Sequence, residues 1–166
     1  VWLLSLLGER GLSPARLVLE LTEHERVTDV DALRVSLSRL AALGIAIALD
    51  DFGDGRSSLR LWSELAPARV KLDRYFANRI HTDSRRVEAV RAAVQLARAF
   101  GAELVAEGIE DEAELAVLRD LGVQFGQGYL LGRPQAQTTS RVAPEVAAMM
   151  HTRQIAVLPD TPHRDV

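Results

Sequence analysis

Acidic side chains stand at the ends of four apolar segments of this sequence, where they could bind a metal ion together. LVLE ends on Glu20, IAIALDD on Asp50 and Asp51, VKLD on Asp73 and ELVAE on Glu107, and successive ends lie 23 to 34 residues apart. This spacing fits one strand, one loop and one helix. In a barrel of strand–helix units, the carboxyl ends of neighbouring strands meet on one face. We therefore expect these acids to lie together, where they either bind a metal or pair with cations.

Two of the charged residues in these segments allow a simpler interpretation. An acid within an apolar strand requires a cation partner, so Glu20 could form a buried salt bridge instead of binding metal. Lys71 precedes Asp73 by two residues and faces the same way on a strand. It could complete such a salt bridge, or it could be a fixed positive charge that steadies a phosphate or the attacking water. We interpret Glu23 as a loop anchor.

The sequence DDFGDGRSSL at residues 50–59 is more specific. Adjacent carboxylates at a strand end repel each other and require a cation. The glycines at positions 53 and 55 allow the backbone to approach a ligand closely. The alternative is an ordinary turn that leads into a helix capped by Ser57.

Two later segments add polar residues at predicted strand ends. VAEGIED at 105–111 places Glu107 and Glu110 on either side of a glycine, and a helix dipole explains Glu110 better than Glu107. GQGYLLGRP at 126–134 adds Gln127 and Arg133, which could face a ligand.

The elements that must position these residues alternate between strand and helix. Each helix pattern ends at a glycine, as expected for a parallel α/β sheet or barrel. We predict helices at 1–9, 29–43, 57–65, 84–100, 111–121 and 143–150, with the first one buried. We predict strands at 17–21, 45–49, 69–72, 103–106 and 123–131. Residues 135–166 form a C-terminal tail with one helix and a disordered end.

The composition narrows the function classes. The chain has 166 residues, 48% of them hydrophobic, which is enough for one core. A net charge of −3 with scattered basic residues does not favour DNA or RNA as a partner. The absence of cysteine excludes disulfides and thiolate metal sites. The apolar start is too short to span a bilayer and lacks the basic flank of a signal peptide, so we expect a cytoplasmic protein.

Five ordered motifs resemble the EAL-domain family of cyclic di-GMP phosphodiesterases, which adopt a modified TIM barrel. They are ELTE at 20–23, DDFGDGRSSL at 50–59, KLDRYF at 71–76, VAEGIED at 105–111 and GQGYLLGRP at 126–134. The resemblance covers residues 1–134. It implies an enzyme that opens cyclic di-GMP to the linear dinucleotide pGpG, with two Mg²⁺ or Mn²⁺ ions as cofactors. Hard oxygen ligands suit these ions.

The resemblance also implies a role for each site residue. Glu20, Asp50, Asp51 and Glu107 correspond to metal ligands, and Lys71 to the residue that holds the nucleophilic water. Gln127 takes part in catalysis with Lys71 and Glu107. Glu23 would hold the DFG-type loop and Asp73 would support the site. Glu110 would help to bind a guanine, and Arg133 would face the ligand.

The sequence also departs from the family pattern. The EAL tripeptide and the Asn-bearing strand are absent, so two expected metal ligands are not in these 166 residues. Asp54 and Arg56 stand where the family usually has Thr and Tyr. Five strands are too few for a closed eight-stranded barrel. We therefore expect an N-terminally truncated piece of a longer protein with an upstream regulatory domain. The alternative is a barrel completed by a second chain, such as a homodimer.

Two other functions remain open at this point. The missing EAL glutamate favours a catalytically inactive domain that binds cyclic di-GMP or a protein partner. A metal-dependent barrel enzyme acting on another substrate is the third hypothesis.

Overall fold

Six parallel strands form one open sheet in the part of the chain that the computed structural model describes, residues 2–22, 29–53, 59–134, 142–151 and 156–157. The strands pair in chain order, and they are Val18–Leu21 (β1), Ala46–Phe52 (β2), Arg69–Leu72 (β3), Glu103–Ala106 (β4), Phe125–Gly126 (β5) and Ala156–Val157 (β6). Within these ranges β1 and β6 do not pair with each other, so the barrel is not closed. The predicted incomplete α/β barrel is confirmed.

Seven helices connect or flank the described strands. They are Trp2–Glu9 (α1), Val30–Ala42 (α2), Leu59–Leu65 (α3), Arg74–Ala77 (α4), Ser84–Phe100 (α5), Glu112–Leu121 (α6) and Pro144–His151 (α7). Single 3-10 turns lie at Pro14–Arg16 and Ile80–Thr82. Among the described helices, none is long and apolar enough to cross a membrane.

Local signals in the sequence explain where the helices start and stop. The Asp111 side chain accepts a hydrogen bond from the Glu114 N–H, and the Glu114 side chain accepts one from the Asp111 N–H, which forms a capping box at the start of α6. Gly122 ends α6 and Gly101 ends α5, both with positive φ. For α2 the N-cap is Asp29, whose carboxylate accepts the Ala32 N–H at 2.8 Å.

A bulge in β2 shapes the carboxyl edge of the sheet. Leu49 pairs with Val70 and Phe52 with Leu72, so β2 uses one residue more than β3 over this stretch. The extra residue lies at Asp50–Asp51, and Asp51 has a φ of 54°. Side chains of consecutive strand residues normally point to opposite faces. The bulge therefore allows both carboxylates to approach one place.

The core lies between the sheet and helices α3, α5 and α6. Trp62, Val70, Val90, Leu104 and Leu118 are all fully buried within it. Phe52 packs edge-on against Trp62 with ring centroids 4.9 Å apart, which fixes the end of β2 to α3.

Two predictions about the fold need correction, and one short helix has no counterpart among the predictions. Helix α1 is not buried, because one side of it is exposed and Leu7 is its only buried residue. Trp2 on that side is 75% exposed. The strand predicted at 123–131 is only Phe125–Gly126, since the chain turns at residues 129–131. Helix α4 was not predicted, because it is one turn long and capped by Asp73 directly after β3.

Candidate functional site

A buried lysine at the carboxyl edge of the sheet holds three acids together. The Lys71 ammonium, only 3% exposed, lies 2.7 Å from Glu107, 2.9 Å from Asp50 and 3.1 Å from Glu20. These residues come from β3, the end of β4, β2 and β1. The parallel register places them on one face, because Lys71 is paired with Val105, two residues before Glu107. The predicted convergence of strand-end acids is therefore present.

The charges in this cluster change each other's pKa. Burial by itself lowers the pKa of Lys71, but Glu107 and Asp50 outweigh it, and the net pKa lies above the ordinary value of 10.5. For Glu107, burial raises the pKa to about 7, with Lys71 opposing this rise and Asp50 and Asp51 adding to it. Lys71 is therefore a permanent cation, whereas Glu107 exchanges its proton near neutral pH.

Three of the carboxylates form a group that could hold a metal ion. Asp50, Asp51 and Glu107 each offer one oxygen, and these oxygens lie within 4.8 Å of one another. Asp50 is buried and the other two are half-buried. Carboxylate oxygens without nitrogen or sulfur donors suit hard divalent cations such as Mg²⁺ and Mn²⁺. The donor set therefore fits the predicted kind of ion, although Glu20 lies against Lys71 and outside this group.

An open pocket adjoins the carboxylate group. It is lined by residues from the ends of β2, β3, β4 and β5: Asp51, Asp73, Arg74, Glu107, Gly108, Glu110, Gln127, Gly128 and Tyr129. Charged and amide side chains, two backbone glycines and one aromatic ring thus surround a space beside a candidate cation site. Such a surface suits a polar ligand, and a phosphate group would require a bound cation to offset the four carboxylates of the lining.

Two glycines allow the pocket walls to pack closely. A Cβ on Gly128 would lie 2.2 Å from the Ile109 nitrogen, and one on Gly108 would lie 2.7 Å from the Cβ of Arg74. Both glycines also have positive φ. Backbone hydrogen bonds hold the same contact, because Ile109 N–H donates to the Gln127 carbonyl at 3.0 Å. Gln127 is thereby fixed beside the end of β4.

A sequence model described as the EAL domain matches residues 1–134 of the chain. The chain belongs to the EAL domain family. The predicted resemblance is therefore confirmed.

Known EAL domain proteins agree with this assignment. The chain is 44% identical over 124 residues to the bifunctional diguanylate cyclase/cyclic di-GMP phosphodiesterase MucR of Pseudomonas aeruginosa, covering 75% of this chain and 18% of MucR. A Klebsiella pneumoniae BlrP1 complex with manganese and cy-diGMP superposes with a TM-score of 0.74 at 34% identity, covering 80% of this chain and 34% of that one.

The chain covers a larger share of a third relative. A standalone EAL protein of Vibrio cholerae O395 in its c-di-GMP bound form gives a TM-score of 0.81 at 31% identity, covering 87% of this chain and 61% of that one. The chain thus spans about a fifth of MucR and about three fifths of the standalone protein.

The remaining predicted site residues of this EAL domain are placed as follows. Asp73 lines the pocket, and its carboxylate caps α4 by accepting the Tyr75 N–H at 2.8 Å. Glu110 lines the pocket as well. Arg133 is exposed and stacks on the Tyr129 ring at 4.4 Å, outside the lining residues. Glu23 lies outside the described residues. The individual roles of these side chains stay predictions.

Sequence reasoning missed three residues of the EAL domain pocket region. Arg74 and Tyr129 line the pocket, and they stand within KLDRYF and GQGYLLGRP. Their place inside these motifs is the signal that could have identified them. Glu114 stands three residues after Asp111, and this spacing signals only a capping box. Its burial and its contacts with a distant segment have no local signature in the sequence.

Proposed function

We propose that this EAL domain is a metal-dependent phosphodiesterase that hydrolyses cyclic di-GMP to linear pGpG. The observation that carries the proposal is the group of three carboxylates, Asp50, Asp51 and Glu107, beside the buried Lys71 at the edge of a pocket. The name of MucR and the manganese and cy-diGMP complex of BlrP1 support the same substrate and cofactor class.

The carboxylates are the residues that would hold Mg²⁺ or Mn²⁺. Asp50, Asp51 and Glu107 supply the oxygens, and Glu20 would join them from β1. When bound, such ions acidify water and stabilise the oxygens of the phosphodiester. A divalent cation would relieve the repulsion between these closely spaced carboxylates.

Lys71 and the pocket residues would act directly on the substrate. The Lys71 ammonium keeps its positive charge next to the carboxylates and would steady the phosphate or the attacking water. Gln127 would orient the reacting groups and Glu110 would accept hydrogen bonds from a guanine edge. In the reaction, a water oxygen attacks phosphorus, one ring P–O bond breaks, and the leaving oxygen takes up a proton.

Product analysis tests the proposed activity. The purified chain is incubated with cyclic di-GMP and Mn²⁺, and nucleotides are separated by chromatography. We expect pGpG, its loss with EDTA, and a loss of about 100-fold or more in Glu107→Gln, as for other residues that act at the reacting groups. Glu112→Gln is the matched control, since Glu112 is exposed and outside the pocket. Equal turnover by both variants would contradict the proposal.

One observation favours a second function, a domain that binds cyclic di-GMP without hydrolysing it. Glu20 lies 3.1 Å from Lys71 and outside the group of three carboxylates, so the ligand set for a second ion is incomplete in this arrangement. Nucleotide binding that resists EDTA, with no pGpG formed, would support this function. Metal-dependent turnover would exclude it.

We also propose a cytoplasmic location and a longer protein in which a regulatory domain lies upstream. MucR, of which the chain spans 18%, supports the second point. A homodimer in which a second copy covers the open edge at β1 is the alternative to further strands from the same chain. Light scattering and cell fractionation test these proposals.

A further inference from the structure

Glu114 is a fully buried acid outside the carboxylate group. It is 1% exposed, and within the described residues no lysine, arginine or histidine forms a salt bridge with it. Instead its two oxygens accept hydrogen bonds from three backbone N–H groups: Arg79 at 2.6 Å, Glu110 at 2.8 Å and Asp111 at 3.3 Å. A carboxylate in this position is satisfied by main-chain donors.

The capping box explains only the longest of these bonds. In such a box the third helical residue reaches back to the N–H of the N-cap residue, here Asp111. The two shorter bonds go to Glu110, in the loop after β4, and to Arg79, which is 35 residues away in sequence. Arg79 has a φ of 54° and begins the turn Ile80–Thr82. Glu114 therefore joins the loop after β4 to the turn that begins at Arg79.

Both of these segments carry walls of the pocket. Glu110 lines the pocket itself, together with Gly108 of the same loop. Arg79 lies two residues after α4, whose residue Arg74 lines the pocket and leaves no room for a Cβ at Gly108. The Glu114 carboxylate thus links the pocket wall after β3, which carries Arg74, to the pocket wall after β4, which carries Glu110.

We infer that Glu114 is a positioning residue for nucleotide recognition. It holds the pocket wall with Glu110 and the pocket wall with Arg74 at the separation that the ligand requires. This inference rests on the proposed function, since cyclic di-GMP is taken as the ligand of the pocket. The Glu114 oxygens accept hydrogen bonds from the N–H groups of Arg79, Glu110 and Asp111, none of which is a metal-binding candidate. Loss of Glu114 should therefore weaken nucleotide binding while the affinity of the carboxylate group for a metal ion stays the same.

A substitution that preserves shape tests the inference. Glu114→Gln replaces one oxygen by an NH₂ group, which faces N–H donors and cannot accept their hydrogen bonds. We expect a rise in the dissociation constant of cyclic di-GMP of about ten-fold, the effect expected from one lost hydrogen bond. Binding is measured by calorimetry with Ca²⁺, the ion in another BlrP1 complex with cy-diGMP. Mn²⁺ affinity, measured without nucleotide, should not change.

Two matched variants separate positioning from simple helix capping. Asp111→Ala removes the cap bond to the Glu114 N–H but leaves the bonds to Arg79 and Glu110. It should lower the melting temperature without changing nucleotide affinity. Glu112→Gln removes a charge from the same exposed helix start and should change neither property. If Glu114→Gln and Asp111→Ala have the same effect on nucleotide affinity, the inference is wrong.

Hydrogen exchange gives a test that needs no variant, in case Glu114→Gln does not fold. In the unmodified chain, saturating cyclic di-GMP should slow exchange of the Arg79 and Glu110 amides together. Slower exchange at Glu110 alone would overturn the inference. The proposed function fails separately, if the unmodified chain neither binds nor hydrolyses cyclic di-GMP.

Discussion

Lys71 and Glu107 lie on neighbouring parallel strands with their charged atoms 2.7 Å apart. Neither side chain could occupy this position alone, since each would place an unpaired charge in a largely buried environment. The same ammonium also contacts Asp50 and Glu20. Four strands of the sheet are therefore connected through one cation at the edge where the candidate metal ligands lie.

Removing that cation should destabilise the fold. Lys71→Met leaves three neighbouring acids without their buried counter-charge, and we expect the free energy of unfolding to fall by about 3–5 kcal/mol. Urea denaturation in EDTA measures the change. Arg34→Met is the control, because Arg34 pairs with Asp31 on the exposed surface of α2 and its loss should have no measurable effect. Equal midpoints for the two variants would show that Lys71 does not hold the cluster together.

The stability of the metal-free chain should fall as pH rises from 4.5 to about 7. Burial raises the pKa of Glu107 from its ordinary value of 4.5 to about 7. A raised pKa in the folded state means that this group's contribution to stability is complete below pH 4.5 and is lost as pH increases to about 7. Denaturation midpoints in EDTA across this range measure the effect. Glu107→Gln should lack this pH-dependent change in stability. If stability changes with pH as steeply in that variant as in the unmodified chain, Glu107 is not the titrating group.

Metal affinity should have the opposite pH dependence. A cation binds the ionised carboxylate, so the affinity for Mn²⁺ should rise by up to about ten-fold per pH unit below pH 7 and level off above it. Calorimetry in two buffers of different ionisation enthalpy gives both the affinity and the number of protons released. Binding that is independent of pH would mean that Glu107 is not a ligand.

The contact between Gly128 and Ile109 should not tolerate a side chain. In Gly128→Ala the new Cβ would overlap the Ile109 backbone, which has no flexible end to move aside. We expect a loss of about 1–3 kcal/mol of stability, together with weaker cyclic di-GMP binding. Gly132→Ala is a matched control in the same segment, since nothing lies within 4 Å of its Cβ position. Similar effects in both variants would rule out close packing as the reason for Gly128.

A substitution at Asp51 should weaken metal binding while it leaves the stability of the fold nearly unchanged. Its φ of 54° is costly for a residue with a side chain, and glycine adopts it freely. Asp51→Gly should therefore keep its stability within about 1 kcal/mol of the unmodified chain while its Mn²⁺ affinity falls. Denaturation and calorimetry on the same sample measure the two properties. A large loss of stability would show that the Asp51 side chain is needed for the fold itself.

Several elements could be predicted because their signals are local. The helix Ser84–Phe100 has an apolar face, an Asp83 cap and a Gly101 stop, and the structure has the same bounds. Strands Arg69–Leu72 and Glu103–Ala106 also match their predictions. The prediction of a strand at 123–131 was wrong because the Gly128 contact with Ile109 is a tertiary interaction. The short helix α4 could not be predicted because a single turn has no periodicity to detect.

The sequence by itself determined the family, the βα order of the chain and the acids that end its strands, because these depend on residue type and spacing. Only the tertiary structure decided which acids lie close together. The β2 bulge brings Asp50 and Asp51 to one side, and the strand register places Lys71 against Glu20, Asp50 and Glu107. Glu20 is not part of the candidate metal group, which consists of Asp50, Asp51 and Glu107. Such relationships depend on register and burial, which arise only when distant segments pack against each other.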